Sequence, residues 1–162
     1  DEDLKEIYQP LDFMGFNTYN AESTERFHCD YTGIPRTTTG WRITPDCLYY
    51  VSKFLYRRYG LPVMVTENGM ANVDIVFEDG KVHDPQRSEY LRTHIRGLKK
   101  ANNEGVPVIG YSCWSFMDNF EWAEGYEKRF GLVYVDYRTQ ERILKDSAYT
   151  YREIIETNGD NL

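Results

Sequence analysis

The sequence lacks several features that would each define a class of protein. It contains no apolar run of 18 residues, so no segment is expected to span a membrane. Residues 1–5 (DEDLK) have neither an initiating Met nor the apolar core of a signal peptide, which suggests a processed or excised piece. Basic residues are fewer than acidic ones, 19 against 26, and the net charge of −7 disfavours nucleic acid and anionic membranes as partners.

Cysteine is scarce and shows no spacing typical of a metal site. The three cysteines, Cys29, Cys47 and Cys113, form no ligand pairs, so no metal is predicted. An odd number of thiols without a secretion signal favours reduced cysteines in a cytoplasmic protein. The histidines are also isolated in sequence and are expected at the surface or in satisfied polar roles: His28, His83 and His94.

Segments with the patterns of strands and helices alternate along the chain. Three apolar runs predict buried strands, at residues 11–17, 61–66 and 106–114. Capping residues and helical periodicity predict helices that begin at residues 44–46, with Thr44 as the cap, at residues 84–85, and at residue 146, with Asp146 as the cap, after a first helix that ends before Pro10. The helix that follows Pro85 is predicted to have Leu91, Ile95 and Leu98 on one face. This alternation is typical of a parallel sheet with right-handed crossovers. Three strands do not close a barrel, so the pattern indicates either a small open sheet or part of something larger.

Weaker signals lie between these segments. Residues 20–43 form a long polar and aromatic loop, and residues 75–83 alternate around an Asp79-Gly80 hairpin turn. Residues 131–137 predict a short strand or a loop, and the polar tail 157–162 is expected to fray. The last helix is predicted to bury one apolar face, formed by Ala148, Tyr151 and Ile155.

The most informative run is VMVTENG at residues 63–69. A short β-branched strand delivers Glu67 to its carboxyl end, and the turn-forming pair Asn68-Gly69 follows at once. In parallel β/α proteins the loops at that end of the strands form the rim of the active site. A carboxylate directly after a buried strand is costly unless it is hydrogen-bonded or functional. Glu67 is therefore the first candidate for a functional side chain.

Further motifs, in a fixed order, make a resemblance to a known family specific. They are DFMGFN followed by Tyr19, TENG at residues 66–69, HDP followed by Arg87, and WSFMDNFEWAEGY with KRFG between residues 114 and 131. On these motifs, over residues 5–156, the chain resembles the C-terminal part of glycoside hydrolase family 1, the retaining β-glucosidases and their relatives. The resemblance implies an α/β fold in which residues 1–162 form one partial-barrel unit, strands six to eight of a (β/α)8 TIM barrel. It implies no metal or organic cofactor.

The resemblance also implies roles for individual residues. Glu67 matches the nucleophile, and Tyr19 matches the residue whose hydroxyl orients that carboxylate. In the family that the chain resembles, a glutamate at the position of Glu121 marks non-phosphorylated sugars. Its two carboxylate oxygens also suit a pair of neighbouring hydroxyls. Trp114 would lie beneath the sugar ring, and Trp122 would donate its indole N–H to a hydroxyl. The full set of implied sugar-binding residues is Asn17, Trp114, Glu121, Trp122 and Phe130.

The general acid/base of the family lies in a TxNEP motif after the fourth strand, and no such motif occurs here. The resemblance therefore implies that roughly the first five βα units and the acid/base are absent from this chain. The predicted activity is hydrolysis, with retention, of terminal β-glucosyl, galactosyl or fucosyl residues of glycosides or oligosaccharides. This chain alone is expected to be nearly inactive, because loss of a positioned general acid costs about 10²–10⁴-fold in rate.

Other interpretations remain open at this point. An opened barrel has unpaired sheet edges, so the chain could be a non-catalytic half-barrel that self-associates or complements an N-terminal segment. It could also be a carbohydrate-binding module without catalysis. A thioglucosidase, in which Gln replaces the acid/base, is a further alternative, since that position lies outside this sequence.

Several polar residues of the motifs are expected to have structural roles. Asp84 and Arg87 fit helix capping and an ion pair better than catalysis. Asp118 and Asn119 are expected to hold the shape of the loop that follows the last strand of the sheet. Trp41 could edge the outer sugar-binding subsites or pack on the barrel.

Overall fold

The computed structural model describes residues 2–21 and 33–162. The three predicted strands are present as β1 (Met14–Asn17), β2 (Val63–Asn68) and β3 (Val108–Cys113). They form a parallel sheet in the order β1-β2-β3, in which Val63 of the central strand pairs with Met14 on one side and Val108 on the other. The carboxyl ends of the three strands therefore lie at the same edge of the sheet.

Helices connect and cover these strands. The described residues contain α1 (Glu2–Ile7), α2 (Cys47–Tyr59), α3 (Pro85–Asn103), a 3-10 turn (Trp122–Glu124) and α4 (Asp146–Glu156). A small antiparallel pair, β4 (Val133–Val135) with β5 (Arg142–Leu144), follows the main sheet, so the strand predicted within residues 131–137 is present.

Helix ends follow the expected local chemistry in part. Pro85 is the first residue of α3, a position where a backbone N–H has no acceptor within the helix, so its missing N–H costs no hydrogen bond. Gly60 ends α2 at φ +68°, and its N–H donates to Tyr56 O. Thr44 was expected to cap α2, but its hydroxyl accepts a hydrogen bond from Ala21 N at 2.8 Å. Asp46 instead occupies the N-cap position.

The start of α4 differs from its prediction in a way that the sequence does not show. Asp146 is the first helical residue rather than the cap. The capping carboxylate comes from Asp84, 63 residues away, which accepts bonds from Ser147 N at 2.8 Å and Ser147 Oγ at 2.6 Å. The buried apolar residue of the last turn is Ile154, at 5% exposure, whereas Ile155 is 60% exposed. The predicted face was therefore wrong by one residue, because neighbouring isoleucines satisfy a helical period equally well.

The hydrophobic core lies between the sheet and the helices. The predicted face of α3, Leu91, Ile95 and Leu98, is buried. Leu98 packs with Leu48 of α2 and Val65 of β2. The helices thus cover one side of β2 and hold its carboxyl end in a fixed place.

The turn at Asp79-Gly80 is present, but a hairpin is not. Phe77 N bonds to Lys81 O at 2.8 Å and Gly80 N to Phe77 O at 2.9 Å. Among the described residues the flanks form no ladder with each other, and Val82 instead bridges to Lys145. Local alternation predicted the turn correctly, but the pairing partner came from a distant part of the chain.

Within the described residues, β1 and β3 each pair on one side only. Exposed apolar side chains lie before or on these edge strands, among them Leu11, Phe13 and Ile109. Beside β3, a groove of about 330 Å³ runs between α3 and α4 and is lined by Tyr111, Ile154 and their neighbours. A strand that pairs on one side only leaves backbone N–H and C=O groups without ladder partners, so β1 and β3 are open to further pairing.

The tail after α4 turns back towards α3. Lys99 Nζ donates to Gly159 O at 2.8 Å, and Leu162 packs against the cluster that contains Leu91 and Ile154. None of the helices that the structure describes is both long and apolar enough to cross a membrane.

Candidate active site

The predicted site residues of the three strands meet at the carboxyl edge of the sheet. Asn17 at the end of β1 is in register with Glu67 on β2. Trp114, just after β3, donates its backbone N–H to Asn68 O at 2.8 Å. Side chains that are far apart in sequence are therefore brought together by the parallel order of the strands.

Glu67 is held by a phenol from the neighbouring strand. Tyr19 Oη donates to Glu67 Oε2 at 2.7 Å. Burial, followed by this hydrogen bond and the charge of Glu67, raises the pKa of Tyr19 well above its ordinary value. The phenol therefore stays protonated and remains a donor to the carboxylate. This is the contact that the predicted orienting role needs.

Asn17 lies beside this pair but bonds to a different neighbour. Its Oδ1 accepts a hydrogen bond from Thr66 Oγ1 at 2.6 Å, and the residue is exposed. The amide of Asn17 therefore faces the open side of the strand ends, next to Glu67.

The second predicted carboxylate lies in the loop after β3. Trp114 Nε1 donates to Glu121 Oε2 at 3.3 Å, so an indole holds Glu121 much as a phenol holds Glu67. The charge of Glu121 also contributes to the raised pKa of Tyr19. Trp122 begins the 3-10 turn with φ +44° and is 80% exposed.

Phe130 packs behind the site against the rings of Tyr19 and Trp41. It is 2% exposed, and its ring centroid lies 6.1 Å from those of both Tyr19 and Trp41. The rings of Tyr19 and Trp41 are 5.1 Å apart. The three rings form an aromatic cluster that supports Tyr19. Of the two roles considered for Trp41, packing is thus the one visible in the contacts.

A close approach between β2 and β3 explains the glycine of the TENG motif. A Cβ built on Gly69 would lie 1.8 Å from Trp114 O, a separation that no side chain tolerates. Gly69 thus lets the loop of Glu67 pass directly against the loop of Trp114.

Sequence reasoning missed two residues that support the site. Asn68, fully buried, donates through Nδ2 to Thr18 O at 2.7 Å and to Tyr90 Oη at 3.0 Å. Tyr90 Oη in turn donates to Tyr19 O at 2.8 Å. The only signal in the sequence was an Asn directly after the candidate glutamate, and it was interpreted as a turn former. No pattern in the sequence assigned a role to Tyr90, because its hydroxyl partners lie far away along the chain.

Behind the loops lies a cluster of buried charges. Arg87 pairs with Asp74 at 2.7 Å and with Asp84, and Lys145 Nζ donates to Asp74 at 2.6 Å and to Asp118 at 2.8 Å. The expected Asp84–Arg87 ion pair is thus present. Burial lowers the pKa of Lys145, while the two carboxylates oppose that shift.

Asp118 has the structural role expected of it. Its carboxylate accepts bonds from Gly131 N at 3.0 Å, Arg129 Nη1 at 2.5 Å and Lys145 Nζ. Asn119 Nδ2 donates to Met117 O at 2.9 Å. These bonds close the loop that carries Glu121 and Phe130.

The remaining titratable candidates do not form a metal site. Among residues 2–21 and 33–162, no group of three or more His, Cys, Asp or Glu could hold a metal ion. Exposed His83 lies between Asp146 at 2.7 Å and Asp79 at 3.1 Å, and these two bonds raise its pKa. His94 is buried and stacks on Tyr90 at 3.6 Å, and burial lowers its pKa to about 4.

The cysteines of the described residues are free thiols. Burial raises the pKa of Cys47 to about 11 and that of Cys113 to about 12, so both remain protonated at neutral pH. Cys29 and His28 lie outside the described residues, as does part of the predicted loop 20–43.

Comparison with known proteins gives consistent matches. The model of the family described as Glycosyl hydrolase family 1 matches residues 1–160. Beta-glucosidase A of Thermotoga maritima is 47% identical over 167 residues, covering 98% of this chain and 37% of that protein. A bifunctional beta-D-glucosidase/beta-D-fucosidase of Bifidobacterium breve is 46% identical over 180 residues, covering 96% of this chain and 39% of that protein.

A solved structure agrees with these sequence matches. The beta-glucosidase from Thermotoga maritima in complex with glucoimidazole superposes with a TM-score of 0.89 at 44% identity, over 98% of this chain and 37% of that one. The chain therefore spans well under half the length of the relatives that it matches. The predicted fold class is confirmed: the chain is part of a (β/α)8 barrel.

Proposed function

Because the chain belongs to glycosyl hydrolase family 1, we propose that it carries the nucleophile side of a retaining β-glycosidase site. Glu67 is the nucleophile, and Tyr19 orients it. The observation that supports this assignment most directly is the 2.7 Å hydrogen bond from Tyr19 Oη to Glu67 Oε2, at the carboxyl edge of a parallel sheet. One carboxylate oxygen is held by the phenol while the other can face a substrate.

The chemistry follows that of retaining glycosidases. The Glu67 carboxylate attacks the anomeric carbon as the bond to the leaving oxygen breaks, and a general acid protonates that oxygen. The same acid, now a base, then takes a proton from water, which attacks the glycosyl ester and frees Glu67. The raised pKa of Tyr19 keeps its proton on the phenol in both steps.

Recognition of the sugar is assigned to the loop after β3 and to the end of β1. Glu121, held by the indole of Trp114, is proposed to accept bonds from two neighbouring hydroxyls of a non-phosphorylated sugar. Trp122 is exposed and can donate its indole N–H. Asn17 is proposed to contact the sugar beside Glu67, and Phe130 to support the wall of the pocket through Tyr19.

The proposed substrates are β-glycosides and oligosaccharides with a terminal β-D-glucosyl residue, or a galactosyl or fucosyl residue. The glucosidase and glucosidase/fucosidase names of the relatives support this class. The acid/base is proposed to come from polypeptide beyond these 162 residues, because the sequence has no TxNEP motif. Free thiols at the buried Cys47 and the partly buried Cys113 support a cytoplasmic location as part of the proposal.

Covalent labelling tests the assignment. The chain is incubated with an activated 2-deoxy-2-fluoro-β-glucoside, alone and after co-expression with the N-terminal barrel portion of the Thermotoga maritima relative. We expect a fluoroglucosyl group on Glu67 in the combined protein and much slower labelling of the chain alone. Glu67→Gln should abolish labelling, whereas Glu153→Gln on the exposed side of α4 should not. Binding of glucose at millimolar concentration without any labelling would favour a non-catalytic sugar-binding module.

A second candidate role is association through the open sheet edges. The unpaired sides of β1 and β3, with exposed Phe13 and Ile109, favour a half-barrel that pairs with itself or with an N-terminal segment. Light scattering after size-exclusion chromatography tests this role. A monomer that also fails to bind the co-expressed N-terminal portion would contradict it.

A further inference from the structure

We propose that Arg87 and Tyr90, on one face of α3, are positioning residues for the site. Tyr90 fixes the Tyr19–Glu67 pair, and Arg87 fixes the loop after β2 against the loop after β3. Both act through other residues rather than through contact with the substrate. The inference rests on the proposed function, because it concerns the geometry of the same nucleophile and sugar-binding loop.

The hydroxyl of Tyr90 joins two strands at the site. It donates to Tyr19 O at 2.8 Å and accepts from Asn68 Nδ2 at 3.0 Å. Tyr19 holds the carboxylate of Glu67, and Asn68 follows Glu67 directly in sequence. One buried hydroxyl therefore fixes the donor and the acceptor of the key hydrogen bond relative to each other.

Asn68 completes this connection. Its Nδ2 also donates to Thr18 O at 2.7 Å, and its Oδ1 accepts from Tyr111 Oη at 2.8 Å. The side chain is fully buried, and its donors and acceptor have partners on β3, α3 and the loop after β1. A satisfied buried network of this kind specifies one arrangement, because each alternative leaves a polar group unpaired.

The guanidinium of Arg87 joins the two loops that follow β2 and β3. Its Nε donates to Met70 O at 3.2 Å, and its Nη2 donates to Arg129 O at 2.9 Å. Met70 lies three residues after Glu67, and Arg129 directly precedes Phe130. The same carbonyl of Arg129 also accepts Asn72 N at 3.1 Å. Arg87 therefore sets the spacing between the loop of the nucleophile and the loop of the sugar-binding side chains.

Carboxylates hold this guanidinium in one orientation. Asp74 accepts from Arg87 Nη1 at 3.2 Å and from Nη2 at 2.7 Å, and Asp84 accepts from Nη1. The side chain of Arg87 is almost completely buried. A planar fork with five donors can serve two carboxylates and two carbonyls at once, and an ammonium group cannot reproduce that geometry. Arg87→Lys therefore keeps the charge and removes the connection.

The two residues should affect different kinetic quantities. Loss of the Tyr90 hydroxyl loosens the carboxylate that attacks, so it should slow the chemical step. Loss of the Arg87 fork moves the loop of Glu121 and Phe130, so it should weaken sugar binding. A merely structural role would instead lower stability while leaving both quantities of the folded fraction unchanged.

The first test uses the 162-residue chain itself. Hydrogen exchange is measured by mass spectrometry for Tyr90→Phe and for the matched control Tyr151→Phe, which removes a similar bond from a tyrosine hydroxyl to Tyr111 O at 3.2 Å. Residues 14–21 contain Thr18 N, which bonds to Glu67 O at 3.0 Å. Tyr90→Phe should speed exchange in this segment about tenfold, and Tyr151→Phe should not. Unchanged exchange there in Tyr90→Phe would overturn the inference.

The second test uses the combined protein and the fluoroglucoside. Tyr90→Phe should lower the maximal labelling rate about tenfold and leave the half-saturating concentration unchanged. Arg87→Lys should raise the half-saturating concentration about tenfold, whereas Arg92→Lys, which alters an exposed pair with Glu153 on the same helix, should do neither. A normal labelling rate in Tyr90→Phe would overturn the inference, and so would an unaltered half-saturating concentration in a folded Arg87→Lys variant.

The two tests separate this inference from the proposed function. If the unsubstituted combined protein is not labelled, the proposed function fails, and the exchange rates of residues 14–21 decide the inference. If labelling of Glu67 occurs and Tyr90→Phe labels at the normal rate, the function stands and the inference fails. Tyr90→Phe removes only a hydroxyl group, so both tests can still be carried out on this variant even if Arg87→Lys does not fold.

Discussion

Two carboxylates in the loop after β3 stand three residues apart in opposite surroundings. Asp118 is 3% exposed and is bonded to Lys145, Arg129 and a backbone N–H. Glu121 is partly exposed, and the indole of Trp114 is its donor at 3.3 Å. We call the side of the loop with Asp118 its back and the side with Glu121 its front. The polar groups at the back have their hydrogen-bond partners within this chain, whereas the front presents hydrogen-bonding groups to an open space.

The difference in burial between Asp118 and Glu121 indicates that one carboxylate stabilises the fold and the other is available for function. A buried carboxylate is stable only when donors surround it, so Asp118 contributes to the fold. A partly exposed carboxylate with one indole donor loses little hydration free energy on folding, and it can still bind another molecule. The same contrast holds between Phe130, which packs behind Tyr19, and Trp122, which is exposed.

The largest effect is expected at the back of the loop. Asp118→Ala takes a buried carboxylate away from Arg129 and Lys145, and Lys145 keeps its bond to Asp74. The loss should lower the free energy of unfolding by about 3–5 kcal/mol. Glu121→Ala, the matched change at the front, should lower it by less than about 1 kcal/mol. Urea titration measures both. Equal losses would show that the two sides of the loop do not differ as described.

The second largest effect is expected at Gly69, where the loop after β2 contacts the loop after β3. Gly69→Ala places a methyl group against Trp114 O and should lower the free energy of unfolding by about 3 kcal/mol. Gly80→Ala is the control, because it lies in an open turn at φ +77° with no neighbour near the added atom, and should cost about 1 kcal/mol. A mild effect at position 69 would mean that β2 and β3 approach each other less closely.

The buried histidine below the site predicts a dependence of stability on pH. Burial lowers the pKa of His94 to about 4, although the hydrogen bond to the backbone carbonyl of Tyr90 and the charge of Asp46 both act to raise it. Between pH 4 and 6.5 the unfolded chain binds a proton that the folded chain excludes, so stability is complete above pH 6.5 and falls as the pH falls towards 4. The loss should approach about 3 kcal/mol at the acid end.

His94→Gln is the variant that isolates this effect. It should flatten the fall in the free energy of unfolding between pH 6.5 and 4, measured by urea titration at several pH values. His83 acts in the opposite direction, because its bonds to Asp146 and Asp79 raise its pKa. The measurement is therefore made in a His83→Gln background. An unchanged pH profile in His94→Gln would contradict the burial of a neutral imidazole.

The smallest effect on stability is expected at the front of the site. Trp122→Ala should change the free energy of unfolding by no more than about 0.5 kcal/mol, because the side chain is 80% exposed. The same variant should raise the half-saturating concentration of the fluoroglucoside in the combined protein. Strong destabilisation without an effect on labelling would place Trp122 with the packing residues.

The sequence predicted the parts of the site that depend on local pattern. Apolar runs located the three strands, and the parallel alternation placed Glu67 and Trp114 at one edge. Motif resemblance supplied the roles proposed for Tyr19 and Glu121. The strands could be predicted because their apolar pattern is a property of each short segment. Their parallel order could be predicted because it follows from the alternation of strands and helices along the chain.

The parts that were missed depend on partners distant in sequence. Asp84 caps a helix 63 residues away, and Val82 bridges to Lys145 rather than across its own turn. The hydroxyl of Tyr90 meets Tyr19 only after α3 has packed beneath the sheet. Helical periodicity indicates which side of a helix is buried but carries no information on which polar atoms meet there.

Identification of the labelled residue decides whether Glu67 is the nucleophile. After reaction of the combined protein with the activated 2-deoxy-2-fluoro-β-glucoside, peptide mapping by mass spectrometry locates the attached sugar. We expect one fluoroglucosyl group on Glu67 and none in Glu67→Gln. Attachment to Glu121 or another carboxylate, with Glu67→Gln labelled as fully as the unsubstituted protein, would contradict it.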